Sequence, residues 1–252
     1  AGAIEDSNDK VALLQRVAEL FLEKFANQAE AIKVYEKILS IEPDHPQAIA
    51  FLKQMYEKRR DWEKLIGIAQ REVTLVTEPA ARTRRLVEVA KLASDKLRKP
   101  IVSIDLWRQV LATDPDNVEA LVELEKLYER EKQWEDLAKV LERQVELAAD
   151  APARATVLGK VGNVYAEKLQ DNARAIIAWK ALLQADPQNR RAQDALRKVC
   201  LEARAYDDLE AFYAEAQRWE ELIRLFERQT DFEEPSTKIL LHFRCARLWR
   251  EK

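Results

Sequence analysis

The sequence predicts an all-α chain, a solenoid of antiparallel helical hairpins amounting to about 13–14 helices. Three observations carry that expectation. The 252 residues are 47% hydrophobic but include only 4 Gly and 8 Pro, and the dominant residues are those that lose least on entering a helix. No segment sustains the period-2 alternation of a strand, whereas apolar residues recur at three- and four-residue spacing. The third observation is repetition. Pro43, Pro115 and Pro187 stand 72 residues apart, in IEPDHPQA, TDPDNVEA and ADPQNRRA. Trp62, Trp134 and Tyr206 keep the same period, as do Tyr35, Trp107 and Trp179, and Ile32, Ile104 and Ile176.

Taken in order, a polar lead (1–10) precedes a first hairpin at about 11–45. Its segment AIKVYEKIL puts Ile32, Tyr35, Ile38 and Leu39 on one face. Pro43 cannot continue that helix, and Pro46 suits the first turn of the next. The second hairpin, about 46–80, runs through Ile49, Leu52 and Tyr56, crosses the polar link EKRRD and resumes at Trp62. One period on come hairpins at about 83–117 and 118–150, and a period later those at about 155–189 and 190–216. The register then slips. Tyr206 and Trp219 both open helices but lie only 13 residues apart, and Tyr213 to Trp219 copies the spacing of Tyr56 to Trp62. An irregular stretch at 207–231 is therefore expected, with a short helix at 207–216 that closes one hairpin and opens the next. It is expected to act as a rigid bend or a docking feature. The terminal half-repeat, 237–252, carries LLHFRCARLWREK, with His242, Cys245, Ala246 and Trp249 in the key positions of a first helix. A lone half-hairpin cannot bury its apolar face, so the expectation is a fragment of a longer array, or a neighbouring chain over Trp249.

The pattern resembles the tetratricopeptide repeat. The first hairpin offers Leu14, Val17, Ala18 and Phe21, then Ala31, Tyr35 and Pro43. The next two periods offer Leu86, Val89, Ala90 and Ala93 with Ser103, Trp107 and Pro115, and Leu158, Val161, Gly162 and Tyr165 with Ala175, Trp179 and Pro187. The small residue (Ala18, Ala90, Gly162) lets the paired helix approach closely. A large one there would cost about 1–3 kcal/mol. In the alternate hairpins Lys53, Glu125 and Arg197 hold that position, so those pairs are expected to pack more openly. The resemblance implies a right-handed superhelix whose first helices line a concave face that binds a peptide segment or a protein domain.

Catalysis finds little support. A catalytic site needs nucleophile, base and orienting group within reach, or a metal cluster. His45, in a turn, reads as solvent exposed, and His242 as filling an apolar helical site; neither has a ligand partner at metal spacing. Cys200 and Cys245 lie in apolar helical patterns and read as core. Gly67, Gly159 and Gly162 fall within helices and form no phosphate loop, Gly67 being read as a packing concession. Periodicity assigns all six tryptophans to the inter-helix core. No catalytic residue, metal site or cofactor is predicted.

The net charge of −3, from 42 basic and 45 acidic residues, lacks the basic stripe of a nucleic-acid binder. Arg82, Arg84 and Arg85 read as a solvated helix start. No run approaches 18 apolar residues, so no membrane span is predicted. The absence of a signal peptide suggests the cytoplasm, or the periplasm if one was removed. Counting along the helices places Arg16, Glu19, Glu88, Lys91, Lys160, Asn163, Arg244 and Arg247 on the concave face. The intervening helices add Gln47, Gln54, Glu119, Lys126, Arg191 and Lys198. The carboxyl half of that set is basic and amidic, which suggests an acidic partner segment there. The expected function is a non-catalytic scaffold or adaptor in a multiprotein assembly. The competing expectation is a regulatory repeat domain on a longer chain with an enzyme elsewhere. An RNA scaffold is disfavoured by the charge balance.

Overall fold

The computed structural model describes residues 7–251; residues 1–6, within the expected lead, and Lys252 lie outside the described residues. Among the described residues there are fourteen α-helices and no strand. In chain order they are α1 (Ser7–Glu23), α2 (Gln28–Ile41), α3 (Pro46–Arg59), α4 (Trp62–Leu75), α5 (Pro79–Lys96), α6 (Pro100–Thr113) and α7 (Val118–Arg130). The second half contributes α8 (Trp134–Leu147), α9 (Ala151–Asn163), α10 (Asn172–Ala185), α11 (Arg190–Glu202), α12 (Tyr206–Glu215), α13 (Trp219–Thr230) and α14 (Pro235–Glu251). A π turn, Val164–Leu169, extends α9. Helices α1–α7 belong to one compact unit and α8–α14 to a second.

The helix boundaries follow from local chemistry. Asn27, Asp61, Asn117, Asp150, Asp171 and Asn189 each accept a hydrogen bond from a backbone N–H of the helix they precede, which satisfies a donor that the helix itself cannot. His45 does the same through Nδ1, 3.2 Å from the Ala48 amide. It is half-buried and structural, not the exposed turn residue expected. Pro46 takes the first turn of α3 as anticipated, and Pro79, Pro100 and Pro152 take those of α5, α6 and α9.

The helix ends share a second device. Arg60, Lys132 and Arg204, one period apart, adopt φ of 55°, 57° and 54°. The residue after each bonds back to the carbonyl of Tyr56, Tyr128 or Cys200 at 2.8–2.9 Å. This is the left-handed cap that glycine usually supplies, here built from charged residues.

Within each unit, paired helices meet over a small residue. Ala18 and Ala90 are fully buried, and a methyl on Gly162 would overlap the Trp179 indole. The openness expected of the alternate hairpins holds: α3 meets α4, and α11 meets α12, over less surface than α1 meets α2 or α9 meets α10. Lys53 occupies its half-buried position by reaching Glu72 on α4.

The tryptophans divide into three groups. Trp107 and Trp179 are buried. Trp62, Trp134 and Trp219 open their helices half-buried, the first two beneath the ammonium groups of Lys96 and Lys168 at 5.6 and 5.5 Å. Trp249 is 64% exposed, which corrects its assignment to the core. His242 is exposed as well. On α14 it is Leu241, Cys245 and Leu248 that are buried, so of the four key positions only Cys245 faces inward, while His242, Ala246 and Trp249 point outward. Gly67 has nothing within 4 Å of where a Cβ would stand and is not a packing concession.

Trp107 donates from Nε1 to Ser94 Oγ at 3.0 Å, whereas the buried Trp179 Nε1 finds no acceptor among the described residues. The residue one period after Ser94 is Ala166, which carries no hydroxyl.

Two outcomes in denaturant melts follow. Gly67→Ala should stabilise by about 1 kcal/mol, through helix propensity in open space. Gly162→Ala should destabilise by about 1–3 kcal/mol, through overlap with Trp179. Separately, Ala166→Ser should stabilise the carboxyl unit by about 1 kcal/mol by giving the buried indole N–H an acceptor. An unchanged midpoint would dismiss that account.

Candidate functional site

In the carboxyl unit a cavity of about 570 Å³ opens where α10 ends, α11 begins and α12 ends. Its walls follow from two local features. The turn between α10 and α11 is pinned by side chains: Asn189 donates to Asp186 at 3.1 Å, and Gln193 Nε2 donates to the Pro187 carbonyl at 2.8 Å. Helix α12, meanwhile, has 10 residues where α4 and α8 have 14. One turn is missing, and the chain turns away through Gln217 at φ 56°. Beside the missing turn, Leu183, Pro187, Phe212 and Ala216 line the opening.

The position is periodic and its size is not. Two periods earlier, Glu36, Leu39, Ile68 and Arg71 stand where Lys180, Leu183, Phe212 and Glu215 stand here, and they line a cavity of about 260 Å³.

The two cations lining the larger cavity, Lys180 and Arg218, are paired with carboxylates. Lys180 pairs with Asp208 at 2.8 Å. Arg218 binds Glu221 through both Nε and Nη2, stacks over the Tyr213 ring at 5.6 Å, and holds Glu221 below the usual carboxylate range by those hydrogen bonds. An apolar floor lines the opening, with the exposed amides of Gln184 and Gln188 and the exposed carboxylate of Glu215. A second cavity of about 330 Å³ adjoins it, sharing Gln193, Phe212 and Arg218, with Arg190 and the paired Arg197 and Asp194 at its edge.

Nucleophilic chemistry has no foothold at Cys200. Burial, reinforced by the charge of Asp208, pushes its thiol up to about 12, so it stays protonated and unreactive near neutral pH. Burial also raises the Cys245 thiol. Among the described residues, no three His, Cys, Asp or Glu side chains are grouped to hold a metal ion, and no helix is long and apolar enough to cross a membrane.

The residues expected on the concave face have varied fates. Arg16 pairs with Glu19 at 3.0 Å, Gln15 reaches from α1 to Gln47 on α3, and Lys91 on α5 meets Glu119 on α7 at 2.7 Å. Those contacts bring part of the set together on neighbouring first-unit helices. Glu88 is bound by Arg85, Lys126 by Glu123, and Lys198 approaches Glu202 at 3.9 Å. Gln54, Lys160, Asn163 and Arg191 are exposed.

Arg244 departs from expectation. Its side chain is 17% exposed and bonds Asp207 and Glu210 on α12, each at 2.7 Å, beneath the Tyr206 ring. Arg247 shares Glu210. These arginines fasten α14 to α12, so they are not free basic groups in a groove. The residues lining the larger cavity were not among those singled out from sequence. The signal that points to them is the doubled helix start at Tyr206 and Trp219.

The role of Arg244 can be checked. Arg244→Ala removes the contact to Asp207 and leaves Glu210 only Arg247, and should destabilise the carboxyl unit by about 2 kcal/mol. Arg191→Ala, on an exposed position, should stay within about 0.5 kcal/mol of the parent. Equal effects in chemical denaturation would refute the distinction.

Comparison with known proteins adds the following. A family model described as tetratricopeptide repeat matches residues 48–83 and 120–155. Both matches begin on the alternate hairpins, the ones carrying Lys53 and Glu125, and they lie 72 residues apart. No curated protein matches the chain. Among solved structures, the chain is similar to YrrB, described as a TPR protein with an unusual peptide-binding site, at 14% identity over 77% of this chain and 98% of that one, with a TM-score of 0.36. It is similar to the C-terminal part of a TPR repeat-containing protein from Cytophaga hutchinsonii at 15% identity, over 93% and 92%, with a TM-score of 0.40. It is similar to MamA at 16% identity, over 68% and 95%, with a TM-score of 0.36. Likenesses this distant give the chain neither a site nor a partner.

Proposed function

We propose that this tetratricopeptide-repeat chain is a non-catalytic protein-interaction module that seats an extended peptide segment of its partner in the cavity formed by α10, α11 and α12. The observation that carries this reading is the 570 Å³ opening left where α12 stops one turn short. An apolar floor beside exposed amides suits a peptide whose main chain bonds Gln184 and Gln188 while one apolar side chain packs on Leu183 and Phe212.

The charge pattern favours a neutral segment over the acidic one expected from sequence. Lys180 and Arg218 already hold carboxylates, and Arg244 and Arg247 share Glu210. An incoming acid would have to displace a partner already in place. Binding of this kind depends weakly on salt, because exposed ion pairs contribute little to it.

Capture from native extract, with the captured species identified and its segment mapped, tests the assignment. Ala216→Trp, at an exposed position, fills the cavity and should abolish capture. Lys160→Glu with Arg191→Glu, on first helices, should leave it intact. The reverse result would move the seat to the first-helix face and overturn the cavity reading.

A further inference from the structure

Helix α14 carries a second groove, of about 530 Å³, lined by Leu240, Phe243, Arg244, Ala246, Arg247 and Arg250 of that helix alone. Register identifies what this face is. Aligning the first-helix patterns sets Cys245 and Leu248 on Val161 and Val164, all four buried. The same alignment sets Phe243, Ala246 and Arg250 on Gly159, Gly162 and Ala166. On α9 that face is covered. A Cβ on Gly159 would touch Leu182 at 3.5 Å, and Gly162 lies directly against the Trp179 indole, both partners being on α10. In the first unit the residue matching Ala166 is Ser94, which receives the Trp107 N–H from α6. A helix carrying one aromatic therefore packs over this face in both earlier cases.

On α14 the matching face is open. Phe243 is 72% exposed and Leu240 45% exposed, and Arg250 is exposed, pairing with its neighbour Glu251 at 3.7 Å. Two of the matched residues also differ in ways that specify the occupant. Phe243 is large where Gly159 is small, so the covering helix must be small where α10 has Leu182. Arg250 replaces Ala166, so an aromatic ring lying over Ala246 would rest against a guanidinium, the pairing this chain already makes between Arg174 and Tyr165 at 5.4 Å.

We propose that the outer face of α14 is a docking surface for an amphipathic helix that places an aromatic side chain over Ala246 and, three residues later, a small side chain over Phe243. The equivalence in register of this face to the face of α9 that α10 covers supports that occupant, a helix of a partner protein that acts as the second helix of a hairpin.

The test uses the 252-residue chain and a hydrocarbon-stapled, fluorescein-labelled peptide of residues 172–185 carrying Leu182→Ala, the staple keeping so short a helix folded. Saturable binding by fluorescence anisotropy is expected. It should weaken at least tenfold when the peptide's Trp179 is changed to Ala, and equally when the chain carries Ala246→Arg, a substitution at an exposed position. Binding that ignores Ala246→Arg would show the peptide lodging elsewhere and overturn the proposal. So would no binding by a chain that sediments as a dimer and becomes monomeric with Ala246→Arg, since the face would then belong to a second copy. Absence of both peptide binding and dimerisation would overturn it as well.

Discussion

The close approach of paired helices over a residue with little or no side chain is the contact on which each hairpin depends. At Ala18, Ala90 and Gly162 the first helix presents almost no side chain, and at Gly162 the Trp179 ring occupies the space directly. Dense packing of this kind tolerates neither a gap nor an extra carbon. It fixes the distance and register of the two helices together, and with them the positions from which the next hairpin must start. Where the residue is instead Lys53 or Arg197, the two helices approach less closely; Lys53 adds an ion pair across its hairpin to Glu72, while Arg197 pairs with Asp194 within its own helix. Regular and open hairpins then alternate, which is the physical content of the 72-residue repeat.

Much of the fold was legible in the sequence because its determinants are local and periodic. Pro46 opens a helix wherever it occurs at a first turn, and Pro43, Pro115 and Pro187 mark the turns between helices. The repeated apolar spacing then gives each helix its inner face. The left-handed caps at Arg60, Lys132 and Arg204 were not legible, since charged residues carry no letter for that conformation.

The candidate site was less readable for a different reason. Its size depends on where α12 stops, and nothing at Ala216 or Gln217 announces a missing turn; only the doubled helix start at Tyr206 and Trp219 hinted at it. Counting along helices located Lys91 and Glu119 well enough to share a surface. It failed for Arg244, whose partners lie 37 and 34 residues away on a helix shorter than its counterparts α4 and α8. Trp249 misled in the same way: a core-type letter is buried only if another helix covers it.

The short helix α12 also acts on direction. Tight turns make each helix run against the one before it, so the number of steps between two helices of like type decides whether they point alike. From α1 to α5 the count is even, and both run the same way. From α9 to α14 it is odd, because α12 closes the α11 hairpin and also opens the one with α13, leaving a single helix beyond the regular pairs. Helix α14 thus carries the pattern of α9 with its ends exchanged. Any ligand that reads α9 from amino to carboxyl end would have to read α14 backwards. A one-helix insertion is in this sense a parity change, and it reverses the polarity of the surface beyond it without altering the chemistry of a single repeat.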